Sequence, residues 1–178
     1  DIETHRLLTS IYAGLADGSA LAGSPSTRHV GTLGGNIMNG SPAMDTGAPL
    51  AVMGAEVELR SLRGTRRVPV EQLGVGPGRT CAAPDELCVA VHIPAPPARA
   101  GSAYVRLEYR RAMEIAVVGA AAVVTLADDG AVATLAVALT AVAPIILSVT
   151  GLDALVGLGV TGAAAAVGEM AATQATPI

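Results

Sequence analysis

Apolar side chains near the start of the chain recur with the period of an α-helix. Between Thr4 and Ala16 the apolar residues fall on one helical face. The side chain of Thr4 can cap the first turn, and Gly18 follows the last apolar position. The pattern therefore predicts a helix over 4–16. The residues on its apolar face are Leu7, Leu8, Ile11, Tyr12 and Leu15.

The next regular pattern is an alternation of polar and apolar residues. Residues 56–60 alternate with the period of a half-buried strand and 66–70 return after a turn, which predicts a β-hairpin. Before the hairpin, a short helix is predicted over 45–53, with an acidic residue at its start. After it, a loop rich in Gly and Pro over 74–84 leads to an apolar strand over 86–94.

Residues 95–101, A-P-P-A-R-A-G, form the strongest candidate for a domain boundary. Beyond them three strands are predicted, and Asp128-Asp129-Gly130 joins the last two as a tight turn. Four consecutive alanines in the last predicted helix suit close packing of a helix on a sheet. The second part is therefore predicted to be a three-stranded antiparallel sheet with helices on one face. The strands are predicted over 103–109, 116–127 and 132–143, and the helices over 152–156 and 163–172.

Residues 130–152 carry no charge and are numerous enough to span a bilayer as a helix. Bulky and small side chains alternate along this segment, however, with Leu135, Val137 and Leu139 on one face. This is the period of a strand, and Pro144 then ends the run. The alternation therefore argues against a transmembrane segment.

Composition narrows the classes of function. The residues are 51% hydrophobic, but the sequence contains no Phe and no Trp, so the core must be built from smaller side chains. The net charge is −4 and the basic residues form no long run, which argues against nucleic-acid binding. Cys81 and Cys88 lack the spacing of a zinc site or a disulfide framework, so no metal site is predicted. The polar start resembles no signal peptide, and reduced thiols favour a cytoplasmic location.

The stretch GTLGGNIMNGSPAMD, residues 31–45, is the strongest candidate for a binding loop. It has no Lys-Ser/Thr after its glycines, as a Walker loop would, and it does not match the G-x-G-x-x-G pattern that opens a long helix. Gly34 and Gly35 would let the backbone approach a phosphate or a flavin edge. Asn36 can donate and accept hydrogen bonds, and an ionised Asp45 would accept them from hydroxyl groups. An ordinary glycine-rich surface loop explains the same stretch equally well.

Residues for acid–base chemistry are not evident, so no catalytic residue is predicted. His5, His29 and His92 are scattered and have no carboxylate or cysteine at a catalytic spacing. Arg110 and Arg111 could clamp a phosphate, but a salt-bridged surface patch is the more common role of such a pair. A cofactor that carries its own chemistry would fit this absence.

Several segments, in order, resemble the FAD-binding medium subunit of the molybdenum hydroxylases, the family of carbon monoxide dehydrogenase, xanthine dehydrogenase and aldehyde oxidase. RHVGTLGGNIMNGSPAMDTGAPL resembles the second flavin loop of that family, and GAEVELRSLRGTRRVPV the hairpin after it. GPGRTCAAPDELCVAVHIPAPP resembles the loop and strand that close the flavin domain, and YRRAMEIAVVGAAAVV the entry to the C-terminal domain. TAVAPIIL and the closing ATPI are also similar to the family.

The resemblance implies an α+β fold with two units. Residues 1–97 would be the C-terminal lobe of a two-lobed FAD-binding domain, a mixed sheet with helices. Residues 98–178 would be the C-terminal domain of the medium subunit, a three-stranded antiparallel sheet with a helical bundle. Cys88 would replace an apolar residue that touches the flavin, and Arg106 would stand where relatives often have lysine. The flavin contacts that the resemblance implies are Thr32, Leu33, Gly34, Gly35, Asn36, Met38, Asp45, Cys88 and Arg106.

The resemblance also implies an electron-transfer role. Electrons would pass from a molybdopterin cofactor through two 2Fe-2S clusters to FAD, and then to an acceptor. The partners would be an iron–sulfur small subunit and a molybdopterin large subunit, in a heterotrimer or its dimer. The family's first glycine-rich loop, which holds the pyrophosphate, has no match here, so an N-terminally truncated chain with part of the FAD cradle is expected. A stand-alone flavin oxidoreductase of the same fold and a non-catalytic assembly fragment are the alternatives.

Overall fold

The computed structural model describes residues 1–110 and 113–177. The chain begins with a 3₁₀ turn at Ile2–Thr4 and two consecutive helices, α1 (Arg6–Ile11) and α2 (Ala13–Leu21). The single helix predicted over 4–16 is therefore divided at Tyr12, where φ is −120° and ψ is 46°. The hydroxyl of Tyr12 donates a hydrogen bond to the carbonyl oxygen of Pro94 (3.2 Å). The N-cap of α1 is His5 and not Thr4.

Gly18 was predicted to follow the end of the first helix, but it lies within α2. The prediction was wrong because this glycine serves packing and not termination. A Cβ atom at Gly18 would clash with the backbone carbonyl of Asp45. Helix α2 and the loop that contains Asp45 can therefore approach each other only because residue 18 is a glycine.

The glycine-rich stretch over 31–45 contains one short helix and lies between two others. Helix α3 (Pro25–Val30) has Ser24 as its N-cap, and helix α4 (Leu33–Met38) has Thr32 as its N-cap. Helix α5 (Gly47–Val52) begins two residues after Asp45, inside the helix predicted over 45–53.

The predicted hairpin and the strand after it form one antiparallel sheet. Strand β1 (Glu56–Ser61) pairs with β2 (Gly64–Pro69) on one side. A short helix, α6 (Val70–Leu73), follows the hairpin. The predicted loop over 74–84 contains a small two-stranded ladder, β3 (Gly74–Gly76) and β4 (Arg79–Thr80), because residues on both sides of its turn bond to each other. Strand β5 (Leu87–His92) completes the sheet order β2-β1-β5.

The second sheet confirms the three predicted strands, with β6 beginning earlier and β7 and β8 shorter than predicted, and adds a fourth. Its strands are β6 (Ala100–Leu107), β7 (Val118–Leu126), β8 (Val132–Thr140) and the two-residue β9 (Leu147–Ser148), all antiparallel and in chain order. In the described residues, the helical part after β9 is a 3₁₀ turn at Leu152–Leu155 and one long helix, α7 (Val160–Gln174). The helix predicted over 163–172 thus begins earlier, and the predicted helix over 152–156 is a 3₁₀ turn. The last residue of the closing ATPI, Ile178, lies outside the described residues.

The two faces of this second sheet pack on different partners. Val137 and Leu139 lie on the face covered by the 3₁₀ turn and α7. Ala121 and Ala138 point to the opposite face and join the core formed by residues 1–97. The apolar core therefore continues across the Pro-rich segment, and the division at residue 97 stays a prediction. The members of the first core include Leu15, Ile37, Leu50, Val57, Leu59 and Leu73.

The uncharged segment over 130–152 is strand β8, a loop and strand β9, as its alternation predicted. Among the described helices, none is both long and apolar enough to cross a bilayer.

Candidate functional site

Helix α4 presents the glycines of the TLGGN motif at its N-terminal end. Thr32 caps the helix by accepting a hydrogen bond from the amide of Gly35 at its hydroxyl oxygen (3.0 Å). The amides of Leu33 and Gly34 precede the first intrahelical donor, the amide of Asn36, so the helix itself leaves them free to donate elsewhere. A Cβ at Gly35 would contact Thr32 Oγ1 at 3.1 Å and otherwise face open space among the described residues. The motif thus exposes bare backbone.

Strand β5 packs against helix α4 through the side chain of Cys88. A Cβ at Gly34 would lie 3.1 Å from Cys88 Sγ, so the absence of a side chain at Gly34 lets the helix rest on the thiol. Burial raises the pKa of the Cys88 thiol, which keeps it protonated. Cys88 therefore lies against helix α4, and its contact with a flavin stays a prediction.

Side chains that point away from the surface anchor α4 to the core. Ile37 is fully buried, and Leu33 and Met38 pack against the same core. Asn36 Oδ1 accepts a short hydrogen bond from the hydroxyl of Thr46 (2.6 Å). Because Thr46 follows Asp45 directly, this bond fixes the end of the SPAMD segment to the last residue of the TLGGN motif.

Asp45 is buried, and both of its carboxylate oxygens accept hydrogen bonds. The hydroxyl of Tyr104 donates to Oδ1 (2.8 Å), and Nη1 of Arg106 donates to Oδ2 (2.8 Å). Burial raises the pKa of Asp45, while the hydrogen bonds from Tyr104 and Arg106 oppose that rise. The pKa of Tyr104 is also raised by burial, so its hydroxyl remains a donor.

Arg106 is held from several sides. Its Nε donates to Glu108 Oε2 (2.6 Å), and its side chain is 1% exposed. Burial alone would lower the pKa of Arg106, but the hydrogen bond of Glu108 and the charges of Glu108 and Asp45 outweigh it and raise the pKa. Nη1 also approaches the carbonyl oxygen of Leu21 at the end of α2 (3.3 Å). Arg106 therefore joins the second sheet to the loop and to the helix of the first part.

Space for the Tyr104 side chain comes from a glycine in the neighbouring strand. Arg106 pairs with Gly119 across strands β6 and β7. A Cβ at Gly119 would clash with the hydroxyl groups of Tyr104 and Thr140. Thr140 is fully buried, and its Oγ1 lies 3.4 Å from the Tyr104 hydroxyl. We call Asp45, Tyr104, Arg106, Glu108 and Thr140 the polar cluster.

The predicted contacts thus fall into two neighbouring groups. The first group is helix α4 with its cap, and Cys88 packs against it; its members are Thr32, Leu33, Gly34, Gly35, Asn36 and Met38. The second group is the ion pair of Asp45 and Arg106. The hydrogen bond between Asn36 and Thr46 joins the two groups. Sequence reasoning missed Tyr104, Thr46, Glu108 and Gly119. The alternation of β6 could have placed Tyr104 beside Arg106, since residues two apart on a strand share a face.

Two other candidate residues, Arg110 and His92, make hydrogen bonds or ion pairs with neighbouring protein groups. Arg110 donates to the carbonyl oxygen of Met113 (2.8 Å) and pairs with Glu114 (3.3 Å), the surface-patch alternative; Arg111 lies outside the described residues. His92 Nε2 lies 2.8 Å from Glu58 Oε2, away from the glycine-rich motif. Over residues 1–110 and 113–177, no group of three or more His, Cys, Asp and Glu side chains could hold a metal ion.

Comparison with known proteins shows the family to which this chain is related. The protein-family model described as "FAD binding domain in molybdopterin dehydrogenase" matches residues 1–96. The xanthine dehydrogenase FAD-binding subunit of Escherichia coli O157:H7 is 38% identical over 145 residues, 81% of this chain and 48% of that relative. The carbon monoxide dehydrogenase medium chain of Afipia carboxidovorans is 38% identical over 125 residues, 70% of this chain and 43% of that relative. The chain therefore spans about half the length of these curated relatives.

Solved structures agree with the sequence comparison. Reconstituted CO dehydrogenase from Oligotropha carboxidovorans matches with a TM-score of 0.91 and 30% identity, over 99% of this chain and 62% of that chain. Quinoline 2-oxidoreductase from Pseudomonas putida 86 matches with a TM-score of 0.87 and 25% identity, over 98% of this chain and 61% of that chain. The fold is thus that of flavoprotein subunits of oxidoreductases, and the predicted α+β class is confirmed. The chain belongs to the family of FAD-binding domains of molybdopterin dehydrogenases.

Proposed function

We propose that this chain forms part of the FAD-binding medium subunit of a molybdenum-containing hydroxylase and contributes one side of the FAD site. The observation that carries the proposal is the family match over residues 1–96, which contains the exposed backbone of Gly35 in α4 and the fixed carboxylate of Asp45. FAD, when bound, would accept electrons and pass them to an acceptor. The chain's own residues would bind and orient it.

The residues present fit a planar cofactor with a polar tail. Bare backbone at Gly34 and Gly35 allows an approach that a side chain at Gly35 would obstruct. The amides of Leu33 and Gly34 can donate hydrogen bonds there. Asp45 and Asn36 supply acceptors whose positions are fixed by Tyr104 and Thr46. None of these groups needs to move a proton, in keeping with a residue set that binds and orients.

The proposal extends to partner subunits, because the relatives are themselves named as subunits or chains of larger enzymes. Those relatives are subunits of a xanthine dehydrogenase and a carbon monoxide dehydrogenase. We therefore propose an iron–sulfur subunit with 2Fe-2S clusters as electron donor to the FAD, and a molybdopterin subunit as the site of substrate oxidation. The expected assembly is a heterotrimer or its dimer.

The test is a comparison of two glycine variants in the full-length subunit with its co-purifying chains. Gly35→Val places a side chain on the exposed face of α4, while Gly168→Val makes the same change in α7, where a Cβ has open space. We expect Gly35→Val to raise the dissociation constant of FAD roughly tenfold or more and to reduce electron transfer to an acceptor in proportion. Gly168→Val should keep both. Equal flavin content in the two variants would contradict the proposed site.

A companion measurement separates the alternatives. Metal analysis of the purified assembly should find molybdenum and iron with chains other than this one. Flavin-dependent activity without those chains would instead indicate a stand-alone oxidoreductase, and a folded full-length protein that retains no flavin would indicate an assembly role.

A further inference from the structure

Tyr104 is not among the predicted flavin contacts, yet its hydroxyl touches the carboxylate of Asp45 directly. It donates to Oδ1 at 2.8 Å in a buried environment, 59 residues away in sequence. The opposite oxygen, Oδ2, is occupied by Arg106. Two donors on two oxygens fix both the position and the plane of the carboxylate, which one donor could not do.

The second sheet is built to keep this donor in place. Gly119 leaves the space that the end of the Tyr104 side chain fills, and Thr140 Oγ1 lies 3.4 Å from its oxygen. The backbone amide of Tyr104 donates to Asp17 of helix α2 (3.3 Å), so the residue is fixed at both ends. Since the Tyr104 proton points to Asp45, the Thr140 hydroxyl is the donor in the weaker contact. The three hydroxyl and carboxylate groups therefore form one directed chain.

We propose that Tyr104 is a positioning residue of the flavin site, which orients the Asp45 carboxylate toward the cofactor from the second sheet. The inference rests on the proposed function, because Asp45 is a flavin contact only if this chain holds FAD. It gives a further residue of the second sheet, beside Arg106, a part in cofactor binding that acts through Asp45. The glycine-rich motif then supplies the contact surface, and the sheet beyond residue 97 fixes the carboxylate.

The test uses Tyr104→Phe in the full-length subunit with its co-purifying chains. Phenylalanine keeps the ring that packs in the core and removes the hydroxyl. We expect the dissociation constant of FAD to rise about tenfold, since one hydrogen bond to a charged group is lost. The visible absorption spectrum and midpoint potential of the remaining bound flavin should also shift, which a change in folding stability alone would not cause.

Tyr12→Phe is the matched control, because it removes a different tyrosine hydroxyl hydrogen bond, the one to the carbonyl oxygen of Pro94, and does not touch the bonds of Asp45. It should leave FAD affinity, spectrum and potential unchanged. If Tyr104→Phe behaves like Tyr12→Phe while Asp45→Asn loses flavin, the positioning role is overturned and the FAD site stands. If Asp45→Asn also keeps full flavin affinity, then Asp45 is not a flavin contact, and the inference falls with that contact.

Discussion

The two faces of the second sheet are buried by different kinds of contact, one aliphatic and one partly polar. The face toward α7 is aliphatic, with Val132, Val137 and Leu139 buried against Leu152 and Leu155. The face toward the first part of the chain has small residues at its centre and the polar cluster at one end. Aliphatic packing is non-directional, so it stabilises the sheet without fixing any single group. The polar cluster fixes the position of one carboxylate.

Stability and site geometry should therefore be separable in this fold. Losses on the aliphatic face should lower the free energy of unfolding and leave the proposed flavin site intact. Losses in the polar cluster should change both. Variants on each face can therefore measure the two contributions independently.

Arg106→Met should give the largest loss. Breaking a buried ion pair leaves the Asp45 carboxylate without its charge partner, and such changes cost about 3–5 kcal/mol of unfolding free energy. Urea unfolding of the purified protein would measure this loss, and flavin content would fall as well. Arg60→Met is the control, because Arg60 pairs with Glu58 at the surface, where ion pairs contribute about 0–1 kcal/mol. Equal losses in the two variants would contradict the distinction.

Leu139→Ala tests the aliphatic face. Removing a buried leucine side chain costs about 2–5 kcal/mol, through lost burial and the cavity left behind. The flavin spectrum of the protein that remains folded should not change, since Leu139 points away from the polar cluster. A spectral shift comparable to that of Tyr104→Phe would mean that the two faces are coupled.

Gly119→Ala should lower the free energy of unfolding less than Leu139→Ala, but it should weaken FAD binding more. The added methyl group must displace the hydroxyl of Tyr104 or Thr140, and overpacking of this kind costs about 1–3 kcal/mol. FAD affinity should fall together with stability. Gly101→Ala places the same methyl group in strand β6 where a Cβ has open space, and it should leave flavin binding unchanged. Flavin loss in Gly101→Ala would show that the effect is general to the sheet.

The smallest effect concerns a carboxylate that belongs to neither face. Hydrogen bonds from Arg66 and from the amide of Ala83 lower the pKa of Glu86 from 4.5 to about 2. A lowered pKa means that its stabilising contribution is present above pH 4.5 and is lost as the pH falls toward 2. Glu86→Gln should therefore slightly lower the free energy of unfolding above pH 4.5, where the charged carboxylate contributes, and should reduce the fall in that free energy between pH 4.5 and 2. An unchanged acid profile would show that other carboxylates dominate.

Local patterns predicted most of the secondary structure but not its interruptions. Alternation over 132–143 gave strand β8 and its two faces, because side-chain direction along a strand follows from backbone geometry alone. The break at Tyr12 was missed, since the bond to Pro94 that accompanies it joins residues 82 apart. Gly18 was misplaced for the same kind of reason: its function is to let Asp45 come close, and nothing adjacent in sequence indicates that contact.

The family resemblance, the glycines of the TLGGN motif and the strand alternation could be read from the sequence, because each depends on residues near one another along the chain. Tertiary structure alone decided that Asp45 meets Tyr104 and Arg106, which follow it by 59 and 61 residues. That contact requires strand β6 to lie beside the loop and Gly119 to leave space for the tyrosine. Such conditions are set by packing between distant segments, for which the local pattern carries no signal.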